Sequence, residues 1–201
     1  RYPRRYPAGG LMALATASAP ALAPVTAPST SVAISAPRAA RWHWALALLA
    51  GLAQAASLAL PGSGAPQGGL QWLSLAALAW LVRPGTPWRR AAALGGVFAT
   101  AWLVGVFWWL FISMHTYGGL AAPLAVLAVL GLAVFLASYY ALVLGLFAAL
   151  APAGRARAAI VFGALWLLAE LARGTWWTGF PWGASGYAHV DGPLAALART
   201  V

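Results

Sequence analysis

Residues 120–150 have the sequence LAAPLAVLAVLGLAVFLASYYALVLGLFAAL, in which no side chain is charged. About 20 apolar residues are enough for a helix to cross the hydrocarbon core of a bilayer, so this stretch is long enough to cross with tilt. The rest of the chain is similar, since 63% of its 201 residues are hydrophobic, 7% are charged and the mean hydropathy is +0.80. Soluble domains carry charge on about a quarter of their residues. The sequence therefore predicts an integral membrane protein.

Four further apolar segments surround this stretch, and with it they predict an all-α, polytopic membrane bundle of about five transmembrane helices. These segments are residues 42–60, 70–82, 91–112 and 158–171. The second is short for a bilayer, so it is expected to be tilted, re-entrant or extended upstream.

Small residues recur within the longest segment, and they favour the close approach of a neighbouring helix. They are Ala125, Ala128, Gly131 and Ala137.

The arginines alternate between loops in a way that predicts the topology. Five lie in residues 1–41, three in 83–90 and two in 151–157, whereas the loops at 61–69 and 113–119 carry none. Positive residues are enriched in cytoplasmic loops, so the N-terminus is expected in the cytoplasm and segment 174–193 on the far side of the membrane. The net charge of +10 does not indicate nucleic-acid binding, because these arginines flank apolar segments.

The composition divides the chain into three predicted regions. Residues 1–41, rich in Ala, Pro, Ser and Thr, are expected to form a disordered basic cytoplasmic tail, with a signal peptide over 4–19 as the alternative. Residues 42–173 are expected to form the transmembrane bundle. Residues 174–201 are expected to form a periplasmic aromatic loop and the start of a further, truncated span. The first residue is Arg rather than Met, and Val201 stands where a new apolar stretch opens, so both ends are typical of a fragment.

The residue types that are missing restrict the chemistry. The chain has no Cys, which excludes disulfides and a thiol nucleophile within these residues. The three histidines lie far apart in the sequence, without carboxylates at metal-ligand spacing. Neither a metal nor a cofactor is expected.

Glu170 and Arg173 are three residues apart, so on a helix they lie on one face and can pair. They stand at the end of the fifth predicted span, where a charge costs less than at the bilayer centre. An ion pair that orients the helix end is one interpretation. Contact with a lipid headgroup or with a partner domain is the other.

The other polar and aromatic residues are concentrated in two segments, which are both predicted to lie on the far side of the membrane. The segment Thr178-Gly-Phe-Pro-Trp182 continues to Tyr187, His189 and Asp191. It is interpreted either as a loop lying at headgroup depth or as the wall of an entry site for an acyl chain. Residues 113–119, which contain His115, are interpreted as an interfacial turn rather than as a catalytic site.

In this order, several stretches resemble apolipoprotein N-acyltransferases of the bacterial inner membrane. They are WWLFISMHTYGG (108–119), ALWLLAELAR (164–173), TGFPW (178–182), Gly186-Tyr187 and DGPL (191–194). The resemblance extends over about residues 42–201. It implies a membrane bundle followed by a periplasmic nitrilase-like domain with a Glu-Lys-Cys triad, in which the Cys forms a thioester. It also implies transfer of an acyl chain from a phospholipid donor to the N-terminal amine of a diacylglyceryl-cysteine lipoprotein.

This chain departs from that pattern because it has neither Cys nor Lys and is expected to stop before the nitrilase-like domain. No catalytic residue is therefore assigned, and the chain alone is expected to be inactive. Phe180, Trp182 and Tyr187 are the candidate lipid-binding residues, with Glu170 and Arg173 supporting their loop.

Two other functions stay open. A small, non-catalytic integral-membrane protein that binds lipid is the main alternative to the acyltransferase. A transporter is less favoured, because the sequence has no internal repeat and only one short span that suggests a broken helix.

Overall fold

The computed structural model describes residues 38–150 and 152–198, which are largely helical and contain no strand. The helices are α1 (Arg38–Leu58), α2 (Gly68–Leu81), α3 (Trp88–Val106), α4 (Trp108–Ile112), α5 (Ala122–Leu150), α6 (Arg155–Thr175) and α7 (Ala195–Ala198). A π-helical turn, Ser113–Tyr117, follows α4, and two 3-10 turns, Trp176–Thr178 and Ser185–His189, follow α6. The predicted all-α membrane bundle is confirmed.

Helix α3 lies between α1 and α5, and its buried face forms the centre of the core. Leu94, Phe98 and Trp102 have no exposed surface. On one side, a Cβ added at Gly51 of α1 would meet the Phe98 carbonyl oxygen. On the other side, one added at Gly95 of α3 would meet the side chain of Leu144. Glycines therefore set the close spacing of these helices.

The outer helices pack against this central group. Helix α2 lies against α1, where the Ser74 hydroxyl donates a hydrogen bond of 2.7 Å to the Ala50 carbonyl. Helix α6 lies against α5, where the rings of Phe147 and Phe162 meet edge to face at 5.6 Å.

The small residues of α5 divide between its two faces. Ala125 and Ala137 are buried, as a close approach requires, whereas Ala128 and Gly131 are exposed. Only part of this small-residue pattern therefore lies at a close contact between the described helices.

The predicted third span, residues 91–112, is interrupted. Helix α3 ends at Val106, and the helical segment Trp108–Tyr117 continues at an angle of 52°. Phe107 stands at the break with its ring fully buried, edge to face with Phe180 at 5.2 Å. The bend keeps this ring in the core while Trp108, which is 62% exposed, faces outward.

Two of the described helical segments are long and apolar enough to cross a membrane. They are Ala122–Leu150 and Arg155–Thr178, and the bent pair that begins at Trp88 makes a third if it counts as one span. Helix α2, with 14 residues, is short, as expected. The total of about five spans stays a prediction.

The contacts between helices place the arginine-bearing loops at one end of the bundle. The start of α1 contacts the start of α3, since Arg90 Nη2 lies 3.1 Å from His43 Nδ1. A Cβ at Gly145, near the end of α5, would lie 3.5 Å from the Trp88 carbonyl oxygen. The α5–α6 connection, with Arg155, lies at the same end because the two helices are antiparallel. We call this the basic end and the opposite one the aromatic end.

The division into a tail, a bundle and an aromatic loop stays a prediction, and two helix bounds differ from the predicted ones. Helix α1 begins at Arg38, inside the predicted tail, and residues 1–37 lie outside the described residues. Helix α6 continues to Thr175, four residues past the predicted end of the fifth span. Both Glu170 and Arg173 are consequently helical.

Candidate lipid site at the aromatic end

Arg173 is a fully buried cation near the end of α6, at the aromatic end of the bundle. Its Nη2 lies 2.9 Å from Glu170 Oε2, one turn earlier, and the two side chains are 0% and 14% exposed. Its Nε donates to the Tyr140 hydroxyl of α5 at 2.9 Å, and that hydroxyl donates to Glu170 Oε1 at 3.0 Å. These three bonds close a ring of Arg, Tyr and Glu that joins α6 to α5.

The remaining bonds of Arg173 hold the segment that follows α6, which we call the aromatic loop (residues 176–194). Arg173 Nη1 donates to the carbonyl oxygens of Phe180 and Trp182, at 2.9 and 2.8 Å. Four hydrogen bonds therefore use four of the five N–H donors of the guanidinium. A buried charge is tolerated only when it is paired and hydrogen-bonded, so the loop carbonyls are part of what allows Arg173 to be buried.

Glu170 binds the same loop at a second point. The Ser185 hydroxyl donates to Glu170 Oε1 at 2.8 Å and accepts a bond of 3.1 Å from Trp166 Nε1. The Trp102 ring lies below the guanidinium, with 5.7 Å from its centroid to Arg173 Cζ, and stacks on Trp166 at 5.8 Å. Hydrogen bonds and aromatic contacts therefore both hold the aromatic loop against the helices.

Helix α2 provides a third attachment. Gln71 Nε2 donates to the Ser185 carbonyl at 2.6 Å, and Gln71 Oε1 lies 2.7 Å from His189 Nε2. An amide oxygen only accepts, so His189 carries its proton on Nε2. Both ends of the Ser185–His189 turn are therefore bound to α2.

The loop reverses direction sharply where it leaves α6. Trp177 and Thr178 both have positive φ, at 53° and 76°, which side-chain-bearing residues seldom adopt. The turn closes through the Phe180 N–H, which donates to the Arg173 carbonyl at 2.8 Å. Such backbone strain persists only where surrounding bonds enforce it, and Arg173 provides these bonds.

An apolar groove runs beside the aromatic loop, between the ends of α1 and α3. It consists of two adjoining cavities of about 480 and 690 Å³. The residues that line both cavities are Ala55, Ala59, Gly64, Gly105 and Trp108. Trp182 and Tyr187 form the wall on the loop side. We call this space the aromatic-end groove.

The five candidate residues occupy three different places. Trp182 and Tyr187 line the groove, and they are 57% and 53% exposed. Phe180 lies behind this wall, against Phe107. Glu170 and Arg173 lie on α6 and bind the aromatic loop through hydrogen bonds.

Sequence reasoning missed Tyr140, Gln71 and Ser185. A lone Gln within the apolar segment Leu70–Val82 was the signal for one of them, because a polar group there needs a partner.

His115, the remaining polar residue considered from the sequence, stays within its own turn. Its Nδ1 lies 2.8 Å from the Leu120 carbonyl oxygen, and its ring lies 5.2 Å from Phe111. Over residues 38–150 and 152–198, the structure contains no group of three His, Asp or Glu residues that could hold a metal ion.

Comparison with known proteins identifies close relatives. An apolipoprotein N-acyltransferase of Verminephrobacter eiseniae is 67% identical over 164 residues, which cover 80% of this chain and 31% of the relative. The enzyme of that name from Ralstonia nicotianae is 49% identical over 135 residues, covering 66% of this chain and 26% of the relative. One from Pseudomonas putida is 41% identical over 128 residues, covering 63% and 25%.

The chain thus spans about a quarter to a third of the length of these relatives. The family model for the apolipoprotein N-acyltransferase N-terminal domain matches residues 55–201, well over half of the chain. This is the part that contains the groove, the aromatic loop and the Arg173 network. The chain belongs to the family of apolipoprotein N-acyltransferase N-terminal domains.

Proposed function

We propose that this chain is the membrane portion of an enzyme that moves an acyl chain from a phospholipid to the N-terminal amine of a diacylglyceryl-cysteine lipoprotein. Its own task is to hold a lipid acyl chain in the aromatic-end groove. The observation that carries the proposal is the buried Arg173, whose bonds to the Phe180 and Trp182 carbonyls fix one wall of that groove.

The lining of the groove suits a hydrocarbon chain. Alanine and glycine line the groove with small apolar surfaces, and Trp108, Trp182 and Tyr187 supply broad apolar faces. A chain that enters from lipid gains little hydrophobic energy, because lipid tails are equally apolar, so packing decides where it lies. A rigid wall would therefore position an acyl chain without binding it tightly.

The orientation proposed for the bundle places this groove on the far side of the inner membrane. Arg41, Arg83, Arg90 and Arg155 lie at the basic end, which the positive-inside tendency assigns to the cytoplasm. The aromatic loop then lies in the periplasm, with Trp and Tyr rings at headgroup depth.

The covalent step of the proposed reaction requires groups that these 201 residues do not contain. With no Cys in the sequence, no thiolate is available to form a thioester. In this proposal, a nitrilase-like domain supplies that nucleophile, and the groove presents the lipid to it.

A chimera tests this function. Residues 38–198 would replace the corresponding segment of the Verminephrobacter eiseniae relative, and acyl transfer from phospholipid to a diacylglyceryl-cysteine peptide would be measured in membranes. We expect activity within about tenfold of that relative, about 1.4 kcal/mol in barrier height, and none from the 201-residue chain alone. A chimera that inserts normally but transfers nothing would instead favour the non-catalytic lipid-binding protein.

Replacing Trp182 with alanine in this chimera is expected to lower acyl transfer by about fivefold. The ring of Trp182 packs against Trp109 at 5.6 Å, and an aromatic pair contributes about 1 kcal/mol, which corresponds to that factor in rate. Trp177→Ala is the matched control, because Trp177 belongs to the same loop, is 81% exposed and does not line the groove. Equal activity of the two variants, at equal membrane levels, would mean that Trp182 is only an interfacial anchor.

A further inference from the structure

We propose a second lipid site at the basic end of the bundle, which binds the phosphate of an anionic phospholipid headgroup. The site is a cavity of about 400 Å³ between the start of α1, the end of α2 and the α2–α3 turn. Its chemistry-bearing lining residues are His43, Trp80, Arg83, Thr86 and Arg90. It lies at the opposite end from the aromatic-end groove and is separate from the acyl-transfer function.

The distribution of charged residues in the sequence favours an anion as the occupant of this cavity. The whole sequence contains two acidic side chains, Glu170 and Asp191. Glu170 is bound to Arg173 at the aromatic end, and Asp191 lies in the aromatic loop. No acidic side chain of the sequence is left to neutralise Arg83 and Arg90, so an anion that enters the cavity would meet no competing carboxylate.

Both guanidinium groups are also held in place around this one cavity. Arg83 lies over the Trp80 ring, with its Cζ 5.2 Å from the centroid. Arg90 Nη2 lies 3.1 Å from His43 Nδ1. Because arginine only donates, Nδ1 accepts this bond and His43 carries its proton on Nε2.

The His43 ring is itself packed against two indoles, whose centroids lie 5.3 Å from each other. It stacks on Trp42 at 4.0 Å and on Trp80 at 5.8 Å. Trp80 therefore orients Arg83 directly and Arg90 through His43. Arginine binds phosphate oxygens in a planar, bidentate manner, so the two guanidinium groups that line the cavity supply the donors that a phosphate needs.

The surroundings favour a lipid over inorganic phosphate as the source of that group. Trp42, Trp80 and Trp88 are 46%, 44% and 56% exposed around the basic end, and tryptophan at the ends of apolar helices lies at headgroup depth. Basic pockets between helix ends are known binding sites for acidic headgroups. A headgroup phosphate would reach the cavity while its acyl chains stay beside the helices.

Native mass spectrometry of the detergent-solubilised 201-residue chain, titrated with dioleoylphosphatidylglycerol or dioleoylphosphatidylcholine, tests the site. We expect preferential binding of phosphatidylglycerol, weakened about tenfold or more in Arg83→Gln/Arg90→Gln, because the variant removes both guanidinium groups that line the cavity. The matched control is Arg155→Gln/Arg157→Gln, which removes the same charge from the same end, and we expect its affinity to stay near that of the wild type.

Each of several results would overturn the proposal. Equal weakening in the two double variants would reduce the effect to general surface charge. Equal binding of the two lipids would remove the headgroup preference. Displacement of phosphatidylglycerol by millimolar inorganic phosphate would identify a site for the free ion.

If Arg83→Gln/Arg90→Gln does not fold, the single variant Arg83→Gln decides, since Arg83 is exposed and its loss should still weaken phosphatidylglycerol binding measurably. Unchanged affinity in that variant would contradict the site.

Discussion

Replacing Arg173 with methionine is expected to lower the free energy of unfolding by about 3 kcal/mol or more. The substitution leaves Glu170 without its counterion and leaves the Phe180 and Trp182 carbonyls without their donor. Removing one partner from a buried ion pair typically costs about 3–5 kcal/mol, because the other charge stays buried and uncompensated. The aromatic loop would then lose its main attachment to α6.

The melting temperature of the detergent-solubilised protein measures this effect. For a chain of this size, about 3 kcal/mol corresponds to a decrease of about 10 °C. Arg155→Met is the matched control, since it removes an exposed arginine from the same helix. Arg173→Lys should lie in between, because lysine keeps the charge but lacks the planar fork that reaches two carbonyls. A melting temperature for Arg173→Met equal to that of the control would show that the network adds no stability.

Replacing Gly51 with valine is expected to have an effect of similar size, about 3 kcal/mol, through packing rather than charge. The added Cβ would meet the Phe98 carbonyl oxygen and would lie 2.9 Å from the Ala101 Cβ. Overpacking a tight contact usually costs about 1–3 kcal/mol. The upper end is expected here, because a backbone atom cannot rotate away and α1 must move off α3.

Gly131→Val is the control for this substitution, because a Cβ at Gly131 has no neighbour within 4 Å. Both variants replace helical glycine with a better helix former, so their difference reports packing alone. We expect a lower melting temperature and broadened size-exclusion peaks for Gly51→Val only. Similar behaviour of the two variants would contradict the close α1–α3 contact.

The elements that sequence reasoning predicted well are those that depend on local chemistry. Residues 120–150 predicted α5, and the alternation of arginines predicted that the basic loops lie together, as the helix contacts show. The spacing of Glu170 and Arg173 predicted their pairing. Each of these inferences needs only segment length, charge or helical periodicity.

The inferences that failed depend on which face of a helix is covered. Helix α5 is apolar on every side, so its sequence has no amphipathic stripe to distinguish buried Ala137 from exposed Gly131. At the bend, Phe107 contacts Phe180, which lies more than 70 residues later in the chain and therefore outside the reach of local sequence patterns. The full burial of Arg173 depends on carbonyl groups of a loop that folds back over it. Every residue has a backbone carbonyl, so the sequence does not indicate which carbonyls will accept these hydrogen bonds.

Photocrosslinking tests most directly the central claim that the loop fixed by Arg173 forms the wall of an acyl-chain groove. The chain would be reconstituted with a phospholipid carrying a diazirine on one acyl chain, and the labelled residues would be mapped by mass spectrometry. Our account predicts labels concentrated at Ala59, Gly105, Trp108 and Trp182, and their loss from these positions in Arg173→Met. Labels spread equally over outward-facing positions such as Leu167, which is 58% exposed, with no change in the variant, would contradict it.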